Sequence, residues 1–145
     1  MYKKIMVPLD GSTIAEGVLP HAKALARAEG SELVLLHVAA NPAQQFAFAD
    51  PYVAQQVVET EEALAREYLP AVEKELREYG LRVTTQLRSG SPAEAILHTA
   101  DEIGVDLIAM STHGRTGPAR WLLGSVAERV VRYSKVPVML IRVKE

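Results

Sequence analysis

Five short apolar runs alternate along this chain with longer helical patterns, and that alternation restricts the fold more than any other feature. The runs are Lys4–Leu9, Glu32–Val38, Leu81–Leu87, Val105–Met110 and Val136–Val143. Helical periodicity fills Ser12–Gly30, Tyr52–Tyr79, a stretch opening at Ser91-Pro92 and closing at Gly104, and Ser125–Ser134. Strands separated by helical crossovers pair side by side in parallel, so the pattern predicts a doubly wound parallel α/β sheet. The third run alternates apolar and polar residues, as a half-exposed or edge strand does. The chain's 145 residues are the usual size of one domain, and residues 1–145 are expected to form one.

Local signals set the expected boundaries. Ser12 reads as a helix N-cap and Gly30 as a stop. Pro20 inside that helix predicts a kink or an early break, and Pro70 stands in the same way inside the second pattern, which ends at Gly80. Ser91, Pro92 and Glu94 read as N-cap, first helical residue and capping-box glutamate. Ala39–Pro51 reads as a loop and as the segment freest to move.

Composition excludes several classes of function. Cysteine is absent, which removes disulfides, thiolate catalysis and zinc–thiolate sites. A formal net charge of -2 gives no bulk electrostatic case for nucleic acid or an anionic membrane as partner. Lys3 and Lys4 are followed too soon by Asp10 for a signal peptide, and no apolar run approaches the ~20 residues of a membrane span. A soluble, cytoplasmic protein is the expectation.

The stretch Met110–Glu128, MSTHGRTGPARWLLGSVAE, carries more chemistry than a strand-to-helix turn needs. Gly114 and Gly117 would let backbone N–H groups approach an anion. Gly124 and Ser125 open a helix whose terminal N–H groups favour negative charge. Arg115 and Arg120 could neutralise phosphate. It is neither a Walker A motif nor the Rossmann glycine pattern, so the residues point to an anion site of open identity. The structural alternatives stand beside that reading. Ser125 and Glu128 also form a capping box, Gly124 could be a turn glycine, and Trp121, Leu122 and Leu123 read as packing residues. Of the histidines, His21 and His98 read as surface residues and His37 as a hydrogen-bonded core residue, while His113 alone sits in the ligand-like stretch. Parallel sheets bind ligands at the carboxyl ends of strands. If the first and fourth strands are neighbours, the end at Val7–Ser12 faces this stretch across one crevice.

The residues KKIMVPLDGS, ELVLLHV, GSPAEAIL, DLIAMSTHGRTG and WLLGSVAERVVRYSKVPVMLIR together resemble the universal stress protein family, in its nucleotide-binding subgroup. The resemblance covers essentially the whole sequence. The family's ATP signature is glycine, two residues, glycine, nine residues, then glycine with serine or threonine. Gly114, Arg115 to Leu123 and Gly124-Ser125 match its second half, and Ser111 stands where the first glycine would fall. The resemblance implies the adenine nucleotide alpha-hydrolase-like fold with strand order 3-2-1-4-5. It implies an adenine pocket lined by Pro8, with Leu9 beside it, and Val38. Asp10 would contact ribose or adenine, and Met110 and Ser111 would flank the nucleoside. Gly114, Gly124, Ser125 and the backbone of Val126 would hold the phosphates, with His113 and Arg115 beside them. The cofactor expected is ATP or AMP, with Mg2+ or Mn2+ as the metal that could accompany the phosphates. The function expected is that of a stress-response or signalling module with an unidentified downstream protein. Two alternatives are a slow ATPase, with Asp10 and His113 as its candidate participants, and an interaction protein that no longer binds nucleotide, as Ser111 would allow. The last strand is apolar yet falls at a sheet edge in this order. A homodimer through Val136–Val143, centred on Val138, Leu140 and Ile141, would cover it.

Overall fold

The computed structural model describes residues 1–39, 50–114 and 124–144. Five strands form one parallel sheet: β1 (Lys4–Pro8), β2 (Glu32–Ala39), β3 (Arg82–Ser89), β4 (Leu107–Gly114) and β5 (Val138–Lys144). Their order is β3-β2-β1-β4-β5, with every neighbouring pair parallel. The helices are α1 (Leu19–Glu29), α2 (Pro51–Ala63), α3 (Leu69–Glu78), α4 (Pro92–Ile103) and α5 (Ser125–Tyr133).

Strand alternation sends side chains to two separate cores. Ile5 and Val7 of β1, Leu9 just beyond it, and Leu33 and Leu35 of β2 face α1 and α3, where they meet Ala22, Ala26, Leu69, Val72 and Leu76. Met6, Leu36, Ile108 and Met110 face α4 and α5, where they meet Ala93, Ile96, Ala100, Ala127 and Val130. Burial on both faces explains why the central runs carry no polar alternation. Edge strand β3 is buried only at Val83. Asp106 fastens the start of β1 to the start of β4: its Oδ2 accepts the backbone N–H groups of Lys3 and Lys4 at 2.8 and 2.9 Å. Those two bonds, that from Lys4 foremost, hold its carboxyl below the usual range.

Several boundaries differ from the sequence expectation. Ser12 does not cap α1. A 3-10 turn at Ala15–Val18 comes first, and the Ser12 hydroxyl accepts the N–H of Ala15 there. Pro20 marks the break, since its missing N–H costs nothing in the first turn of α1. Pro70 also opens a helix, α3. It has no N–H to offer the carbonyl four residues back and crowds that carbonyl. The five residues Leu64–Tyr68 therefore take the wider π turn, with the Leu69 N–H bonded to the Leu64 carbonyl. Ser91 is the N-cap of α4 but makes no side-chain cap bond, and Glu94 pairs with Arg129 of α5 at 3.2 Å. The guanidinium outcompetes the capping box for that carboxylate. The helix at Ser125 is capped by Gly124, so Ser125 is its first residue rather than its cap, and Glu128 pairs with Arg132 instead of reaching back.

The largest difference lies in the polar stretch. β4 continues to Gly114, where Ser111, Thr112, His113 and Gly114 pair with Ile141, Arg142, Val143 and Lys144. The hydrophobic signal ends at Met110, but the neighbouring strand supplies ladder partners for four more residues. The first part of the expected loop is therefore strand. Its middle, 115–123, lies outside the described residues, as does most of the expected loop at Ala39–Pro51.

Candidate functional site

Because β1 and β4 are neighbours, their carboxyl ends open onto one crevice, the place where strand order reverses. A cleft of about 350 Å³ lies there, the size of a small-molecule site. Its walls include nine of the residues singled out from sequence: Pro8, Leu9, Asp10, Val38, Met110, Ser111, Gly124, Ser125 and Val126. His113 and Gly114 follow on β4, and Arg115 lies outside the described residues.

The cleft is chemically divided. One part is an apolar slot made by Pro8, Leu36, Val38, Ile96 and Met110, with Pro92 at its side. Ile96 and Pro92 belong to the first turns of α4 and were not singled out from sequence. Nothing in GSPAEAIL distinguishes a residue that lines a cleft from one that packs on a sheet, because the approach of α4 is a matter of packing. Ser12, Ile14, Ala15 and Thr112 also line the cleft without having been singled out.

The opposite part is polar and built from backbone. Gly124, with no side chain to spend as a cap, precedes Ser125, Val126 and Ala127, and all four line the cleft. The first intrahelical bond runs from the Glu128 N–H to the Gly124 carbonyl at 2.9 Å. The N–H groups of Ser125, Val126 and Ala127 therefore have no acceptor within the helix, and they carry the positive end of its dipole. Among the described residues, nothing lies within 4 Å of a Cβ built on Gly124.

Asp10 and Ser12 also line the cleft. Asp10 Oδ1 accepts the Ser12 N–H at 2.9 Å and the Ser12 hydroxyl at 2.6 Å. This Asx-type turn uses one carboxylate oxygen and leaves Oδ2 out of the turn. Ser111 sits opposite. Its hydroxyl donates to the Ala15 carbonyl at 3.1 Å, so the side chain at this position ties β4 to the 3-10 turn. Close approach is needed beside it: a Cβ on Gly17 would lie 2.3 Å from Cγ2 of Val143.

Residues 1–142 match the universal stress protein family. The chain belongs to that family. It is 34% identical to universal stress protein MJ0577 of Methanocaldococcus jannaschii, with 99% of this chain and 97% of that protein covered. It is 32% identical to universal stress protein MJ0531 of the same organism, over 98% and 83% of the two chains. The solved structure of MJ0577 superposes with a TM-score of 0.80 across 100% of this universal stress protein and 99% of that chain. A universal stress protein family structure from Arabidopsis thaliana, with AMP bound, superposes at 0.69 over 97% and 91% of the chains. At 19% identity it shares the fold.

Among the described residues no three His, Asp or Glu side chains converge on a point.

Proposed function

We propose that this universal stress protein binds an adenine nucleotide, ATP or AMP, in the cleft at the ends of β1 and β4, and works as a dimeric stress-response or signalling module. The observation that carries the reading is the start of α5, where the N-cap Gly124 has no side chain to bond the first N–H groups. Three N–H groups without helical acceptors open into the same cleft as an apolar slot, with a carboxylate also in its lining. An anion with a flat apolar body and hydroxyls in between matches that set of surfaces. The base enters the slot between Val38 and Met110, where burial of apolar area supplies the affinity. The ribose hydroxyls donate to Asp10, whose Oδ2 takes no part in the Asx turn. The phosphates accept from the N–H groups of Ser125, Val126 and Ala127, where the helix dipole adds to each bond. Gly114, His113 and Arg115 are proposed, from the resemblance alone, to add to the phosphate site.

The AMP-bound Arabidopsis thaliana protein shows that this fold accommodates such a ligand. The test is mass spectrometry of the purified, denatured protein, followed by calorimetry with ATP, AMP and cyclic AMP. Co-purified adenine nucleotide or micromolar binding is expected. Absence of both overturns the reading in favour of the interaction protein. Steady phosphate release would move it to the slow ATPase.

Dimerisation is the second part of the proposal, and β5 carries it. Val138, Leu140 and Ile141 are each only part-buried against the chain's own cores, on a strand with one neighbour. A second copy would complete their burial and pair the open ladder.

A further inference from the structure

His37 stands at the carboxyl end of β2, on the face of the sheet opposite the apolar slot, and its ring is almost wholly buried. Its Nδ1 lies 3.0 Å from the carbonyl oxygen of Leu9, and its Nε2 lies 2.5 Å from a carboxylate oxygen of Glu61, in the last turn of α2. A carbonyl oxygen only accepts, so Nδ1 carries a proton. In the neutral ring Nε2 would then be a bare lone pair facing a carboxylate. Two acceptors do not approach to that distance, so a second proton lies between Nε2 and Glu61.

The atoms held this way matter to the cleft. Leu9 precedes Asp10, and its own N–H is bonded to the Leu36 carbonyl at 2.8 Å. The His37 bond therefore fixes the peptide unit from which the Asp10 side chain springs. The π turn that follows Glu61 leans on the same segment. Gly11 has φ +87, and a Cβ there would lie 2.7 Å from Cδ2 of Leu64. The Tyr68 hydroxyl is buried beside Glu16 without a hydrogen bond of good geometry. Burial foremost, then the Glu16 charge, push its phenol far above the ordinary range, so it stays neutral.

We infer that His37 and Glu61 share one proton, and that through it the end of α2 positions the Asp10 turn of the cleft. His37 is a positioning residue: it touches the backbone that carries Asp10 and does not line the cleft. Among the described residues, the charged groups lining the hollow beside the ring are Glu61 and Glu62 from α2 and Arg88 from β3, with Asp10 beyond Leu9. Arg88 is engaged with Glu102 at 3.2 Å, which leaves Glu61 as the contact partner of Nε2.

The test compares the native chain with Glu61→Gln and Glu61→Leu. Glutamine can donate its amide to a neutral Nε2 and so keeps the contact without the extra proton; leucine removes the contact. Proton spectra should show a strongly downfield proton bridging His37 Nε2 and Glu61 in the native chain and none in Glu61→Gln, where the glutamine amide takes its place. The backbone amide of Ser12, bonded to Asp10, should stay in place in Glu61→Gln and shift in Glu61→Leu. The affinity readout rests on the nucleotide reading of the cleft. AMP should bind about fivefold more weakly to Glu61→Leu, roughly the worth of one ordinary hydrogen bond, and within about twofold of native to Glu61→Gln. Absence of a bridging proton between His37 Nε2 and Glu61 in the native chain overturns the inference, as does a Ser12 amide unmoved in Glu61→Leu. If AMP binds none of the three proteins, the nucleotide reading fails while the ring and amide spectra still decide this one.

Discussion

Gly124→Val separates the fold from the anion site, because the structure gives the substitution almost nothing to do to the fold. Gly124 has φ -62 and ψ 156, an extended backbone open to any residue, and a Cβ there meets no atom of the described residues within 4 Å. Valine is a poorer N-cap than glycine by about 1 kcal/mol. The loss is offset by about 0.4–1 kcal/mol from the stiffer unfolded chain. The net change is close to zero, and the melting temperature should stay within about 3 °C of native. Binding is another matter. The added side chain enters the space over the N–H groups of Ser125 and Val126, where the phosphates are proposed to sit. A hydrogen bond to a charged group contributes about 1.5–3 kcal/mol, so losing two costs at least about 3 kcal/mol. That corresponds to weakening of about 100-fold or more. Calorimetry with AMP and adenosine, run beside thermal melts, reads both quantities. AMP affinity should collapse while adenosine, which lacks phosphate, loses much less. Unchanged AMP affinity in a variant that melts like the native protein would refute the placement of phosphate on α5.

Asp10→Ala should weaken AMP and adenosine by similar factors, about tenfold for a charge-assisted hydrogen bond, because Asp10 is proposed to serve the ribose; a loss confined to AMP would reassign it to the phosphate path. Asp106 gives a pH signature. A carboxyl held below its unfolded value contributes stability that is complete above that value, about 3.9, and is lost as pH falls through the folded one. The melting temperatures of native protein and Asp106→Ala should differ at neutral pH and converge below about pH 4; a difference independent of pH would mean the two backbone bonds are not the cause. The β5 edge can be tested with one proline. The Ile108 N–H bonds the Pro137 carbonyl, so alternation turns the Met139 N–H toward β4 and the Leu140 N–H outward. Leu140→Pro should therefore spare the β4 ladder and convert a dimer to monomer in sedimentation equilibrium, and a native chain that is monomeric at high micromolar concentration defeats the dimer.

The sequence by itself determined the layers. Apolar runs such as LVLL in β2 are readable because burial on both faces demands them, and glycines at 30 and 104 end helices because only they take the left-handed turn cheaply, at φ 69 and 70. Asp10, Met110 and Gly124 could be chosen as site residues because strand ends and helix starts are local features. The tertiary structure decided what depends on a neighbour. Ser111 to Gly114 became strand because β5 offers partners, although their own side chains argue for loop. Glu94 and Glu128 left their capping boxes because arginines on packed or adjacent turns bind a carboxylate more strongly than a backbone N–H does. Pro92 and Ile96 joined the cleft through the approach of α4, which no local signal encodes. His37 reads in the sequence as one more core histidine. Only the fold places Leu9 on one side of its ring and Glu61 on the other, because the strand and helix that supply them, 52 positions apart in the chain, meet there by packing that periodicity alone does not align.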